Sequence, residues 1–246
     1  MDGAGMNEHL LERRLNQVGA RLLSFSCRES QAAALCDDLS LALAAGIRVS
    51  GAASLVLPGG TTPERLLELL ADEAVDWSKV TVTLSDERWV DSDSRDSNER
   101  LLRERLFRGP AAAAHFVPLK SPHTESAEQD AALASLTLGA MPSFDRVVLG
   151  MGSDGHCASL FPDSPQLDAA LDMASALPCM ALETAASPYP RLSLTLPRLL
   201  NCSELVLQIC GEEKRHVLER ALYADHAAPV TALFGQNVPI SVYWAP

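Results

Sequence analysis

The sequence predicts a three-layer α/β/α fold in a single domain, with a mostly parallel, Rossmann-like sheet. Short apolar runs alternate with helical patterns along its 246 residues. Parallel strands are buried on both faces and joined by helical crossovers, so they give this alternation of continuous apolar runs and helices. No repeat or low-complexity linker divides the chain. Right-handed crossovers then place helices on both faces of the sheet.

Eight apolar runs are the predicted strands. They cover residues 21–25, 54–57, 80–84, 146–149, 192–196, 205–210, 230–234 and 240–243. Helical periodicity lies between several of them, at residues 29–45, 63–71, 98–107, 126–138 and 212–223. Residues 1–20 are expected to form a tail or short helix ahead of the domain, which spans 21–246. The longest loops are expected at 110–114 and 162–190.

The composition excludes several classes of protein. Twenty Lys and Arg residues against 32 Asp and Glu give a net charge of −12, which argues against nucleic-acid binding. A small anionic substrate is compatible with this charge if a few cations gather at one site. The N-terminal segment lacks the apolar run of a signal peptide, and no stretch reaches the roughly 20 apolar residues of a membrane span. The six cysteines form no C-x-x-C pair, so a reduced, cytoplasmic protein is expected.

The loops that follow strands carry the functional signal, because parallel sheets bind ligands at the carboxyl ends of their strands. The first such loop reads LPGGTTPE from residue 57. Gly59 and Gly60 let a ligand approach the backbone, and with Thr61 they place free amides at the start of a helix, which favours an anion. Thr61 and Glu64 also fit a capping box, so a capped turn without a ligand explains the same pattern.

The second loop, SDERWV from residue 85, leaves the core abruptly with consecutive polar residues. Arg88 offers a planar guanidinium suited to phosphate or carboxylate, and an exposed cluster of ion pairs is the plain alternative. Ser97 is predicted to cap the next helix. Glu99 and Arg103 are predicted to form a solvated i,i+4 pair on that helix.

The third loop, LGMGSDGHCASLFP from residue 149, carries the most specific signal. Its glycines match G-x-G-x-x-G, but Pro162 interrupts the chain too early for the long helix that a dinucleotide site needs. His156 stands in a glycine-rich turn two residues after Asp154. A carboxylate so placed can hold the imidazole in one tautomer and orient it as a general base.

Other chemistries find little support in the sequence. It contains neither G-x-S-x-G nor H-E-x-x-H, so neither an α/β-hydrolase serine nor a metal site is expected. Cys157 adjoins His156, but adjacent side chains of extended backbone point in opposite directions, which disfavours a thiol nucleophile. Arg191 and Lys214 are further cations beside predicted strands, and each taken in isolation is better explained as a surface charge.

Together these segments resemble the 6-phosphogluconolactonase family. The similar segments are LPGGTTP at 57–63, SDERWV at 85–90, SNER at 97–100, LGMGSDGHCASLFP at 149–162, RLSLTLP at 191–197 and GEEKR at 211–215. Glucosamine-6-phosphate deaminases share the glycine-rich histidine segment, but they carry an Asn-Glu-Pro turn where this chain has Ser159-Leu160-Phe161-Pro162. Cys157 departs from the Thr that is usual in the family.

The resemblance implies hydrolysis of the δ-lactone of a phosphorylated sugar acid, with no metal or organic cofactor. It implies that His156, aided by Asp154, takes a proton from the attacking water, and that Arg88 or backbone amides stabilise the oxyanion. The groups implied for the phosphate are the amides of Gly59, Gly60 and Thr61 and the side chains of Arg191 and Lys214, with Arg88 as a shared member.

Two alternatives to the lactonase remain open at this point. One is an amino-sugar-phosphate deaminase or isomerase, and the other is a sugar-phosphate sensor without catalysis. The expected partner in each case is a small phosphorylated sugar, with neither nucleic acid nor membrane. A monomer or weak homodimer is expected.

Overall fold

The computed structural model describes residues 3–223 and 228–246, with side chains from Leu10 onward. Helices and strands alternate through most of the chain. The helices are α1 (Gly3–Gln17), α2 (Arg28–Ser50), α3 (Glu64–Ala71), α4 (Asn98–Arg105), α5 (Ala127–Ala140), α6 (Leu167–Leu171), α7 (Leu196–Leu199) and α8 (Glu212–Tyr223). The strands are β1 (Ala20–Ser24), β2 (Ala53–Leu57), β3 (Val80–Leu84), β4 (Asp86–Arg88), β5 (His115–Val117), β6 (Arg146–Leu149), β7 (Cys179–Leu182), β8 (Arg191–Leu194), β9 (Leu205–Cys210) and β10 (Ile240–Ala245).

The main sheet is parallel and has seven strands in the order β1-β10-β9-β6-β2-β3-β5. Every residue of β2 and of β10 is buried, so both faces of the sheet centre are covered. Helix α2 packs on β2 and β10, and α8 packs on β9. The predicted single-domain α/β fold with a mostly parallel sheet is therefore confirmed.

A second, antiparallel sheet of three strands, in the order β4-β8-β7, stands beside the first. The predicted strand at 192–196 belongs to this sheet and runs from Arg191 to Leu194. Its register places Arg88 opposite Arg191 and Asp86 opposite Ser193. The small sheet thus connects the polar loop after β3 to a strand about a hundred residues later in the chain.

Three predicted elements are wrong. Residues 230–234 form no strand, because Pro229 begins a 3-10 helix that extends to Leu233. The predicted loop at 162–190 contains α6 and β7, and the one at 110–114 falls largely within a 3-10 helix over Gly109–Ala113. Elements of four or five residues are too short to show a hydrophobic period in the sequence.

Helix α1 packs against the rest of the domain. Leu11 and Leu15 are fully buried, and Nε of Arg14 donates to the carbonyl oxygen of Leu222 at 2.9 Å. The helix also contacts β1, which directly follows it. Residues 1 and 2 lie outside the described residues, and the division of the chain at residue 20 stays a prediction.

Candidate active site

A cavity of about 190 Å³ opens at the carboxyl ends of β2, β3 and β6. This is the edge where the open sheet of an α/β protein binds its ligand. All three loops singled out in the sequence contribute to the wall. The lining residues are Pro58, Gly59, Gly60, Thr61, Thr62, Pro63, Asp86, Arg88, Asn98, Gly150, Met151, Gly152, His156, Ala158 and Gln208.

The turn after β2 presents backbone rather than side chains. Gly60 has a φ of 87°, a left-handed conformation that favours glycine, and a Cβ on Gly59 would collide with the side chain of Asn98. Among the described residues, no acceptor receives a hydrogen bond from the amides of Gly59, Gly60 or Thr61. Free amides in a turn that leads into a helix are groups that can bind an anion.

The predicted capping box of this turn is wrong. Helix α3 begins at Glu64, and its N-cap is Pro63, which offers no side-chain hydrogen bond. The amide of Glu64 instead donates a hydrogen bond to the backbone oxygen of Thr61 at 3.4 Å. The side chain of Thr61 is therefore not used as a cap.

The loop after β6 presents an oriented imidazole. Nδ1 of His156 lies 2.5 Å from Oδ1 of Asp154, so the Nδ1–H donates to the carboxylate and Nε2 is left without a partner among the described residues. The amide of Gly152 donates to the oxygen of His156 at 2.8 Å, which closes the turn. A Cβ on Gly152 would collide with the imidazole and with Asp154, so only glycine fits there. The ring of Phe161 packs on the imidazole at 4.0 Å between centroids.

Two arginines lie side by side on the small sheet. Arg88 lines the cavity, and its Nη1 donates to the backbone oxygen of Asp96 at 2.6 Å. Arg191 is buried behind the wall, 3.9 Å from Oδ2 of Asp86 and 5.4 Å from the ring centroid of Phe161. Burial lowers the pKa of Arg191, the Asp86 carboxylate opposes that shift, and the Arg88 charge adds to it.

Both of these guanidinium groups hold a buried Nε that meets no acceptor among the described residues. Like charges that face each other across strands repel, so an anion between or beside the two would stabilise both. Asp86 supplies one such charge, and its Oδ2 also accepts from Ser159 Oγ at 2.6 Å. Two guanidinium groups with unused Nε–H donors therefore stand at this side of the cavity.

Lys214 approaches the site from the first turn of α8. Its Nζ donates to the carbonyl oxygen of Met151 at 2.7 Å, and Met151 lines the cavity. The lysine itself stands behind this carbonyl and does not belong to the wall. An ammonium has three N–H donors, so two are left over from this contact.

The buried carboxylate of Glu87 holds the backbone of the cavity wall in place. Glu87 accepts from the amides of Arg88, Asn98 and Glu99 at 2.7–2.8 Å and from Ser97 Oγ at 3.0 Å. Burial raises the pKa of Glu87, and these hydrogen bonds oppose the shift. Ser97 caps α4 as predicted, by accepting from the amide of Arg100. Arg103 does pair with Glu99, but Glu99 is buried and the pair is not the solvated one expected.

Cys157 takes no part in the cavity wall. It is 1% exposed, and burial raises the pKa of its thiol far above the ordinary value. A thiol that stays protonated is a poor nucleophile, so the burial of Cys157 argues against a role as a catalytic nucleophile.

Comparisons with known proteins now identify the family. Residues 26–244 match the model of the family described as glucosamine-6-phosphate isomerases/6-phosphogluconolactonase. The chain belongs to this family. The match covers nearly all of the chain, including every strand of the small sheet and every loop of the cavity.

Relatives within this family are similar along their full length. The chain is 41% identical to a 6-phosphogluconolactonase of Pseudomonas putida, with all of both chains covered. It is also 41% identical to one of Rhizobium meliloti, with 93% of this chain and 100% of the relative covered. A crystal structure of a 6-phosphogluconolactonase from Shewanella baltica superimposes with a TM-score of 0.88 at 38% identity, covering 92% of this chain and 97% of that one.

The cavity of this family member also includes residues that the sequence analysis did not select. Asp86 and Asn98 stood within the motifs quoted above, but neither was assigned a role. Asn98 donates through Nδ2 to the backbone oxygen of Asp86 at 2.8 Å and packs against Gly59. Gln208 was missed altogether. Its signal was a single polar residue near the carboxyl end of the apolar strand β9.

Proposed function

We propose that this chain hydrolyses 6-phospho-D-glucono-1,5-lactone to 6-phosphogluconate, a step of the oxidative pentose phosphate pathway. The observation that carries the proposal is one cavity lined both by His156, which is paired with Asp154, and by the free amides of Gly59–Thr61. One end of such a cavity can activate water, and the other can hold a phosphate. The names of the relatives point to the same reaction.

The proposed chemistry begins with water attacking the lactone carbonyl carbon. Nε2 of His156 accepts a proton from that water as the new C–O bond forms, and Asp154 stabilises the imidazolium through Nδ1–H. The carbonyl oxygen becomes an oxyanion, which Arg88 or backbone amides stabilise. When the intermediate collapses, the ring C–O bond breaks and the leaving oxygen takes the proton back from His156.

The phosphate lies against the turn after β2 in this proposal. The amides of Gly59, Gly60 and Thr61 bind its oxygens, and Lys214 and Arg191 supply positive charge from behind the wall. Both cations are held in place by contacts with the wall itself, through Met151 and Asp86. The proposed reaction needs no metal or organic cofactor, because the ring ester is already electrophilic.

A coupled assay on freshly generated 6-phosphogluconolactone tests the proposal. The measured rate is corrected for spontaneous opening of the lactone, and the product is detected by its oxidation with 6-phosphogluconate dehydrogenase. Enzyme-dependent acceleration supports the lactonase. Ammonia released from glucosamine 6-phosphate, with no acceleration of lactone opening, would support the deaminase instead.

We also infer a cytoplasmic protein that acts as a monomer or weak homodimer. All six cysteines are described and unpaired, which fits a reducing compartment. None of the helices within residues 3–223 and 228–246 combines the length and apolar character needed to cross a membrane. Light scattering coupled to size-exclusion chromatography measures the oligomeric state directly.

A further inference from the structure

The cavity contains a neutral hydrogen-bond acceptor that its proposed chemistry does not use. Gln208 lies on β9, lines the cavity and is 2% exposed. Its Oε1 is buried, and no donor within residues 3–223 and 228–246 reaches it. A buried amide oxygen without a partner is costly, and native proteins rarely leave one unpaired.

The orientation of this amide is fixed by a second glutamine. Nε2 of Gln31 donates to the backbone oxygens of Ile209 and Tyr243 at 2.9 and 3.0 Å. Carbonyl oxygens only accept, so the amide of Gln31 cannot be reversed, and its Oε1 must accept from its neighbours. Nε2 of Gln208 donates to that oxygen at 3.1 Å, and Sγ of Cys210 lies 3.3 Å from it.

Gln208 therefore cannot turn its amide over. Its Nε2 is directed at Gln31, which does not line the cavity, and its Oε1 is left without a partner in a residue that does line it. Gln31 is fully buried and uses both the donor and the acceptor ends of its amide. It acts as a positioning residue that fixes which end of Gln208 meets a ligand.

The chemistry of the acceptor selects its partner. Phosphate oxygens, a lactone carbonyl and a carboxylate are themselves acceptors, so an amide oxygen does not attract them. The parts of a phosphorylated sugar lactone that donate hydrogen bonds are its ring hydroxyls. A site that binds a hydroxyl through a buried acceptor discriminates against an analogue that lacks the hydroxyl, because the acceptor is then left unpaired.

We infer that the side-chain oxygen of Gln208 accepts a hydrogen bond from one ring hydroxyl of the lactone, which makes Gln208 a specificity-determining residue. The inference rests on the proposed function, since it takes the lactone as the occupant of the cavity. It adds a neutral contact to the charged and backbone groups that line the cavity.

The test compares the parent lactone with three phosphorylated lactones that lack the hydroxyl at the second, third or fourth carbon. For each enzyme, the measured quantity is kcat/KM for the parent divided by kcat/KM for the deoxy compound. This ratio does not depend on the fraction of active protein, so a partly folded variant still gives an answer. The wild type is expected to prefer the parent by about 10- to 100-fold over one of the three compounds.

Gln208→Leu is expected to reduce that one ratio to within about 3-fold of unity and to leave the other two unchanged. Gln208→Met serves the same purpose if the leucine variant fails to fold. Gln236→Leu, at an exposed position outside the cavity, is the matched control and should keep all three wild-type ratios.

Two results would overturn the inference. One is a wild type that shows no preference for the parent over any of the deoxy lactones. The other is a Gln208 variant that retains every ratio, or that loses parent and deoxy activity equally. Failure of the proposed function looks different, because the wild type would then not accelerate opening of the parent lactone at all.

Discussion

The loop after β2 and the loop after β6 line the same cavity, but they are built from different chemical groups. The first passes from Leu57 into α3 at Glu64 and offers free backbone amides. The second closes into a turn through the Gly152 amide and offers the side chain of His156. Glycine is required in both, at Gly59 to admit Asn98 and at Gly152 to admit the imidazole.

We expect this difference to separate binding from chemistry. Backbone amides hold an anion but do not change their protonation between neutral and mildly acidic pH. An imidazole can accept and release a proton, and the Nδ1–H contact with Asp154 leaves Nε2 as the ring nitrogen available for that exchange. Changes in the first loop should therefore alter KM, and changes in the second should alter kcat.

The largest effect is expected for His156→Ala. Removal of the proposed general base should lower kcat by about 1000-fold, within the range measured for such groups, and should change KM little. Stopped-flow or coupled kinetics on the phosphorylated lactone measures both constants. His123→Ala, at an exposed position away from the cavity, is the matched control. Near-normal kcat in a folded His156→Ala protein would contradict the assignment of the general base to the loop after β6.

A smaller effect is expected for Lys214→Met. The variant loses a cation behind the wall, so KM for the phosphorylated lactone should rise about 10-fold, while unphosphorylated glucono-1,5-lactone should be little affected. Lys79→Met serves as control. It removes an exposed lysine just before β3, at the end of that strand away from the cavity. An equal loss on the two lactones would show that Lys214 does not recognise phosphate.

The smallest effect is expected for Gly60→Ala in the first loop. The left-handed φ of 87° disfavours alanine, so the amides of the turn should shift and KM for the phosphorylated lactone should rise about 5-fold. Gly235→Ala is a close control, because Gly235 has a φ of 76°, equally open surroundings and no place in the cavity. A fall in kcat at constant KM would contradict the assignment of this loop to binding.

The fold was predictable from sequence wherever strands are buried on both faces. The runs in β2, β3, β9 and β10 are continuous and apolar because helices cover them on either side. Strand β4 was not predictable, since its residues Asp86, Glu87 and Arg88 are all charged. Its pairing with β8 depends on a contact distant in sequence, which periodicity does not report.

The site was predictable in part. The sequence motifs selected His156, Gly59–Thr61 and Arg88, which all line the cavity, and also Arg191 and Lys214, which stand behind its wall. The roles of these residues stay predictions. Gln208 could not be selected, because its importance lies in which end of an amide is left unpaired. That property depends on Gln31, which is far away in the chain.

A crystal structure of the complex with the product 6-phosphogluconate tests the central claim most directly, because it fixes which end of the cavity takes which end of the substrate. We predict that the phosphate accepts hydrogen bonds from the amides of Gly59–Thr61 and that the carboxylate formed from the lactone carbonyl lies beside Nε2 of His156. A product bound in the reverse direction, or outside this cavity, would contradict the account.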